Sequence, residues 1–180
     1  LGAGCGLLGL GLTCLGCRAV LTEQPAALAN LRLNVERHVA RLTSGAAFAE
    51  VAKLVWGDSG DASLVRELGP FDLVVGSDVV FAERLVQPLL DTISELLSGS
   101  RDAECWLCLQ QRDPDAHSTL LALAPASFDV KEISFAGLAG FEAAAALECV
   151  LLRLRLRMPP SKLKVSEANP EMAGTSEARR

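Results

Sequence analysis

Leu1-Gly2-Ala3-Gly4-Cys5-Gly6-Leu7-Leu8-Gly9-Leu10 is the stretch that decides the fold of this 180-residue chain. Glycines at positions 2, 4 and 6 followed by an apolar run describe a tight turn that opens a helix. Backbone in such a turn can approach a ligand closely, because no Cβ stands in the way. The turn therefore predicts a loop that carries a nucleotide-type cofactor. Glycine-rich turns also occur where a strand simply packs tightly on a helix, so a second element is needed. Arg18-Ala19-Val20-Leu21-Thr22 reads as a short buried strand with Glu23 at its carboxyl end. A carboxylate about 20 residues beyond the glycines is placed to accept hydrogen bonds from both hydroxyls of a ribose.

The glycine spacing discriminates among nucleoside cofactors. The dinucleotide fingerprint G-x-G-x-x-G places its third glycine inside the helix, whereas this chain has Gly2-x-Gly4-x-Gly6. That pattern resembles motif I of class I S-adenosylmethionine methyltransferases. Such a cofactor has no pyrophosphate, so the loop serves close backbone approach to the methionine moiety and ribose. A Walker lysine is missing from the loop, which argues against nucleoside triphosphate chemistry.

The length suits one domain with a sizeable core, and half of the residues are hydrophobic. A net charge of −5 offers no electrostatic reason for a nucleic-acid partner. The first 17 residues lack a basic n-region and a small-residue cleavage site, and their glycines weaken a membrane helix. No targeting or membrane segment is read, and a cytoplasmic protein is expected, with the nucleus as a second compartment. Of the six cysteines, Cys5, Cys14, Cys17, Cys105, Cys108 and Cys149, the two C-x-x-C pairs are expected to be buried and reduced, since the pair at 105–108 lies in a strand-like run that points its two thiols to opposite faces and the pair at 14–17 straddles a helix end with no neighbouring His. No metal site is expected.

Along the chain, Leu7 to Leu15 predicts a helix buried against a sheet and ended by Gly16. Pro25 starts a second helix, with Leu28, Leu31 and Val35 on its inner face. Val51 to Trp56 predicts a strand closed by Gly57-Asp58 and a polar loop, which puts Trp56 at a strand end where its ring can line an adenine. Phe71 to Asp78 is a continuous apolar strand of the parallel type, ending in Ser77 and Asp78. Residues from Glu83 to Leu97 read as a helix, Cys105 to Leu109 as a strand leading into Gln110, Gln111 and Arg112, and His117 to Ala124 as a short helix. Phe128 to Phe135 and Leu147 to Arg157 read as a terminal hairpin. From Pro159 onward the composition predicts a disordered tail over 159–180, leaving 1–158 as the domain. Ligands of open α/β sheets lie outside the carboxyl ends of the strands, so the glycine loop, Glu23, Trp56 and Asp78 should converge on one crevice. A cofactor loop of this kind follows a strand, and the sequence starts at the loop. The domain is accordingly expected to be N-terminally incomplete, without its first strand.

Four stretches together, Leu1 to Leu10, Val20-Leu-Thr-Glu23, Leu54-Val-Trp-Gly57 and Phe71 to Phe81, resemble methyltransferase family 16, the seven-β-strand protein-lysine methyltransferases. Leu28-Ala-Asn-Leu-Arg-Leu-Asn34 and Leu85-Val-Gln-Pro-Leu-Leu90 are similar as well. The resemblance implies an α/β fold with a Rossmann-like, mostly parallel sheet and an antiparallel terminal strand. It implies S-adenosylmethionine as cofactor and a protein substrate such as a chaperone, an elongation factor or another ATPase-type protein. Gly2, Ala3 and Gly4 are implied to line the methionine end of the cofactor, Glu23 to hold the ribose, Trp56 to border the adenine and Ser77 to contribute backbone beside the sulfonium. Asp78 begins the family's D-x-x-Y element at the methyl-transfer site. Its fourth residue here is Phe81, and the chain contains no tyrosine at all.

Methyl transfer to nitrogen needs a neutral, oriented amine. Asp78 can hydrogen-bond that amine, while Phe81 can wall its channel and stack on a cation but cannot make a hydrogen bond. An N-cap role is the competing expectation for Asp78, and core packing for Phe81. Gln110, Gln111 and Arg112 are weaker candidates for substrate contact. A small-molecule methyltransferase and an inactive methyltransferase-like binding module are the alternatives to a protein-lysine enzyme.

Overall fold

The computed structural model describes residues 1–39, 48–136 and 139–157. Helix α1 (Leu7–Cys14) follows the glycine loop, then strand β1 (Arg18–Glu23), helix α2 (Pro25–Val39), strand β2 (Phe48–Lys53), helix α3 (Ser59–Glu67) and strand β3 (Leu73–Ser77). A 3-10 turn at Glu83–Leu85 leads into α4 (Val86–Leu97), followed by β4 (Glu104–Gln110), α5 (Pro114–Leu123), β5 (Phe128–Ile133), the short α6 (Glu142–Ala146) and β6 (Cys149–Leu156).

The strands form two sheets: β1 pairs with β2 in parallel, and a four-stranded sheet has the order β3-β4-β6-β5. In the larger sheet β3 and β4 are parallel, and β6 runs against both of its neighbours. The α/β alternation, the parallel strands and the antiparallel terminal strand agree with the sequence expectation, although the sheet is not continuous. A cavity of about 550 Å³ separates β1 from β3, lined by Ala19, Val20 and Leu21 on one side and by Leu73, Val74 and Val75 on the other. Each sheet has its own core. Leu31, Val35, Leu21 and Ala19 pack under the small one. Leu89, Ile93, Leu97, Leu107, Leu120, Phe128, Leu152 and Leu154 fill the larger.

Several boundaries differ from the sequence expectation. Strand β2 begins at Phe48 and ends at Lys53, so Trp56 lies three residues beyond the strand. The polar stretch after Gly57 is helix α3 and not a loop: Asp58 caps it by accepting from the amides of Gly60 and Asp61, and Ala62 and Val65 are buried. Ser, Gly and Asp at a helix start mimic turn composition, because the same side-chain bonds serve both. Helix α1 is not buried; Leu7 and Leu15 are about four-fifths exposed, and Thr13 is its buried residue. It rests on β1 through Gly9, where a Cβ would stand 2.5 Å from Leu21 Cγ, so the contact is made by the helix backbone. Cys14 and Cys17 are exposed rather than buried, and Cys5 is exposed as well. Cys105 is enclosed, and loss of water around it pushes its thiol up to about 12. The tail at 159–180 lies outside the described residues.

Candidate functional site

The glycine loop bridges the two sheets at the carboxyl ends of their strands. The Ala3 amide donates to Thr22 O of β1 at 2.9 Å, and the Leu1 amino group donates to Val75 O of β3 at 2.6 Å. Gly2, Gly4 and Gly6 all have positive φ, at 54°, 56° and 92°, a region that costs any residue with a Cβ about 1–2 kcal/mol. Gly6 then opens α1, and Asn34 of α2 holds the turn from below by donating to Cys5 O at 3.0 Å.

Glu23, at the end of β1, is half-buried. Its carboxylate accepts from the Gly4 amide and from the Gln24 amide, each at 2.9 Å. The acidic residue and the loop are thus one unit. Nothing stands within 4 Å of the position a Cβ would take on Gly4, so the loop backbone faces open space beside the carboxylate.

Trp56 is held from both sides. The Val55 amide donates to Asp61 Oδ2 at 3.0 Å, and the Gly57 amide donates to Thr92 Oγ1 at 3.0 Å. Asp61 and Thr92 are both buried. Asp61 also pairs with Lys53 Nζ at 2.7 Å, and that bond, helped by the Val55 amide, keeps its carboxyl below the usual range. The Trp56 ring comes to Gly2 so closely that a Cβ there would stand 3.2 Å from Cζ2, and the Phe81 ring is tilted against it at 48° with centroids 6.2 Å apart. Phe81 is about half exposed, which removes core packing as its explanation.

Strand β3 ends at Ser77, which lines the inter-sheet cavity with Gly2 and Ala3. Asp78 follows with φ 55°, a left-handed conformation unusual for a residue with a side chain. Its amide donates to Cys108 O, and its carboxylate accepts from the Gln110 amide at 3.2 Å and from Arg112 Nη2 at 2.9 Å. Asp78 is therefore not a helix N-cap: the next helical turn starts at Glu83 and takes Ala82 as its cap. Val79, its neighbour, packs on Gly2.

One edge thus gathers Gly2, Gly4, Glu23, Trp56, Ser77, Asp78 and Phe81. Glu23 and Asp78 stand on different sheets, joined through the loop. Asn34, Asp61 and Thr92 were not legible as site-forming residues; a polar residue on a helix has the same local pattern whether it meets solvent or a loop from another element. Among the described residues, no group of three or more His, Cys, Asp and Glu could hold a metal. No helix among them is long and apolar enough to cross a membrane.

The role of Asp61 predicts a pH-dependent effect. A carboxyl held below its ordinary range adds stability that is present above the unfolded-state value of about 3.9 and is lost as pH falls through the lower native value. Asp61→Asn is expected to cost about 1–3 kcal/mol in denaturant melts at pH 7, the cost of leaving buried partners unsatisfied, with the gap to the parent closing below pH 4. A gap independent of pH would show that the ionised pair is not its source.

Alternating helices and parallel strands, a cofactor-type loop at their carboxyl ends and a terminal antiparallel strand define the Rossmann-like fold of the S-adenosylmethionine-dependent methyltransferase class. Solved structures agree at the level of fold: a TehB-like SAM-dependent methyltransferase from Corynebacterium glutamicum superposes with a TM-score of 0.56 at 15% identity, covering 87% of this chain and 77% of that one. An rRNA methyltransferase, aviRa, from Streptomyces viridochromogenes gives 0.57 at 15% identity, covering 85% and 73%. The chain belongs to the lysine methyltransferase family, whose model matches residues 1–124. Among curated relatives, protein N-lysine methyltransferase METTL21A of Danio rerio is 34% identical over 99 residues, 55% of this chain and 43% of that protein. Protein-lysine methyltransferase METTL21E of Mus musculus is 32% identical over 96 residues, 53% and 38%. The matched stretch spans less than half the length of these relatives.

Proposed function

We propose that this protein transfers a methyl group from S-adenosylmethionine to a lysine side chain of a protein. The observation that carries this reading is a series of contacts across the strand ends of the two sheets: Glu23 on Gly4, the loop on Trp56 through Gly2, and Trp56 on Phe81. Family membership and the relatives' names support the lysine acceptor. The open space before Gly4, next to an anchored carboxylate, fits a ribose and the methionine end of the cofactor.

The cofactor supplies an electrophilic methyl on sulfur. Glu23 holds ribose hydroxyls with the lone pairs left after its two amide bonds, and Gly2, Ala3 and Gly4 offer backbone where side chains would obstruct. Trp56 borders the adenine, and Ser77 presents backbone near the reacting sulfur. Asp78 accepts a hydrogen bond from the lysine amine and so directs the nitrogen lone pair. When bound, the cofactor would give its methyl carbon to the amine nitrogen and leave with the electron pair of the C–S bond, the amine's proton passing to water. Phe81 walls the channel by shape, as its ring cannot replace a tyrosine hydroxyl. The protein is assigned to the cytoplasm, and its substrates to chaperone, elongation-factor or other ATPase-type proteins, without nucleic-acid or membrane partners.

The test is transfer of labelled methyl from S-adenosylmethionine to proteins of a cell lysate by the full chain. Methyl-lysine in the hydrolysate of a labelled protein is the expected result. Label confined to small molecules, or cofactor binding without any transfer, would overturn the lysine assignment.

A further inference from the structure

Asp78 is the residue proposed above to meet the amine, yet its carboxylate already has a cationic partner. Arg112, just past β4, reaches back to it at 2.9 Å and is itself steadied by the Gln110 side chain, whose Oε1 accepts from Arg112 Nε at 3.2 Å. Gln110 completes the unit with its amide on Asp78 Oδ1 and its Nε2 on Leu147 O at 3.3 Å. The left-handed backbone of Asp78 aims the carboxylate at this group; backbone in a sparsely populated region persists where surroundings over-determine it. Cys108 on β4 also stands within reach of the Asp78 charge, and Cys149 on β6 hydrogen-bonds to Cys108.

An unpartnered carboxylate beside a lysine would stabilise the ammonium, the form that cannot attack. A guanidinium on that carboxylate cancels its pull while leaving a lone pair to accept from a neutral amine. We propose that Arg112 is a positioning residue that neutralises Asp78 and so selects the neutral lysine amine at the methyl-transfer edge. This inference rests on the lysine-methyltransferase reading and concerns its proton step.

The experiment compares kcat against pH for the parent, Arg112→Ala and Arg112→Lys, using the acceptor protein identified by methyl labelling. Because the pair is exposed, the shift is modest: the acid limb of Arg112→Ala is expected to move up by roughly half a pH unit, a rate loss of about threefold below the limb. KM at neutral pH should stay level or fall, as the ammonium is held better. Arg112→Lys, which keeps the charge, should follow the parent. Arg112→Gln, which keeps a polar side chain without charge, should follow Arg112→Ala. Acid limbs that coincide in all four proteins, with methyl-lysine still formed, would overturn the role of Arg112 and leave the lysine reading standing. Absence of methyl-lysine with the parent protein would overturn both.

Discussion

Glu23→Ala is expected to weaken S-adenosylmethionine binding by a hundredfold or more, the largest single effect of any substitution at this edge. The carboxylate has two tasks. It is the proposed partner of the ribose hydroxyls, and hydrogen bonds to an ionised acceptor contribute about 1.5–3 kcal/mol each. It also anchors the loop through the Gly4 amide at 2.9 Å, so its removal frees the backbone that must approach the cofactor. Glu23→Gln separates the tasks: an amide oxygen can still accept from Gly4 but carries no charge, and an intermediate loss is expected. Calorimetric titration with the cofactor reads both variants. Equal affinity for the parent and Glu23→Ala would remove Glu23 from the site.

The second large effect is on turnover. Asp78→Ala is expected to lower kcat about a hundredfold while cofactor affinity stays within twofold, since a group that orients or deprotonates a nucleophile typically contributes that much or more. Alanine at φ 55° adds backbone strain of about 1 kcal/mol or more, so the loss must be separated from a change of shape. Asp78→Asn does this, because asparagine tolerates the left-handed region and its amide oxygen can still accept from the amine. A smaller loss is expected for Asn than for Ala. Unchanged turnover in Asp78→Ala would sink the assignment.

The substitution pattern of the D-x-x-Y element, Asp78 followed by Phe81, sets the two residues on different tasks. Phe81 lies on Trp56, whereas Asp78 faces Gln110 and Arg112 at the end of β4. In the proposed mechanism the carboxylate meets the amine, Arg112 positions that carboxylate, and the aromatic ring contributes shape.

Local chemistry alone determined much of this protein. Glycines at alternate positions leave few options besides a positive-φ turn, which Gly2, Gly4 and Gly6 adopt. Arg18 to Thr22 with Glu23, and Leu28, Leu31 and Val35, carry periods that only a strand and an amphipathic helix satisfy, and each is found where the spacing puts it. The same holds for β6, whose alternating Leu and Arg residues demand one buried face, with Leu152 and Leu154 turned inward. What tertiary structure decided is of a different kind. Whether a polar residue serves the solvent or the site depends on what another element brings to it: Asn34 reaches Cys5 because α2 passes beneath the loop, and Asp61 and Thr92 fix Trp56 because α3 and α4 flank it. The ion pair of Asp78 with Arg112 likewise joins segments 34 residues apart in sequence. Hydrophobic periodicity encodes which face of an element turns inward, but it carries no record of which partner meets that face.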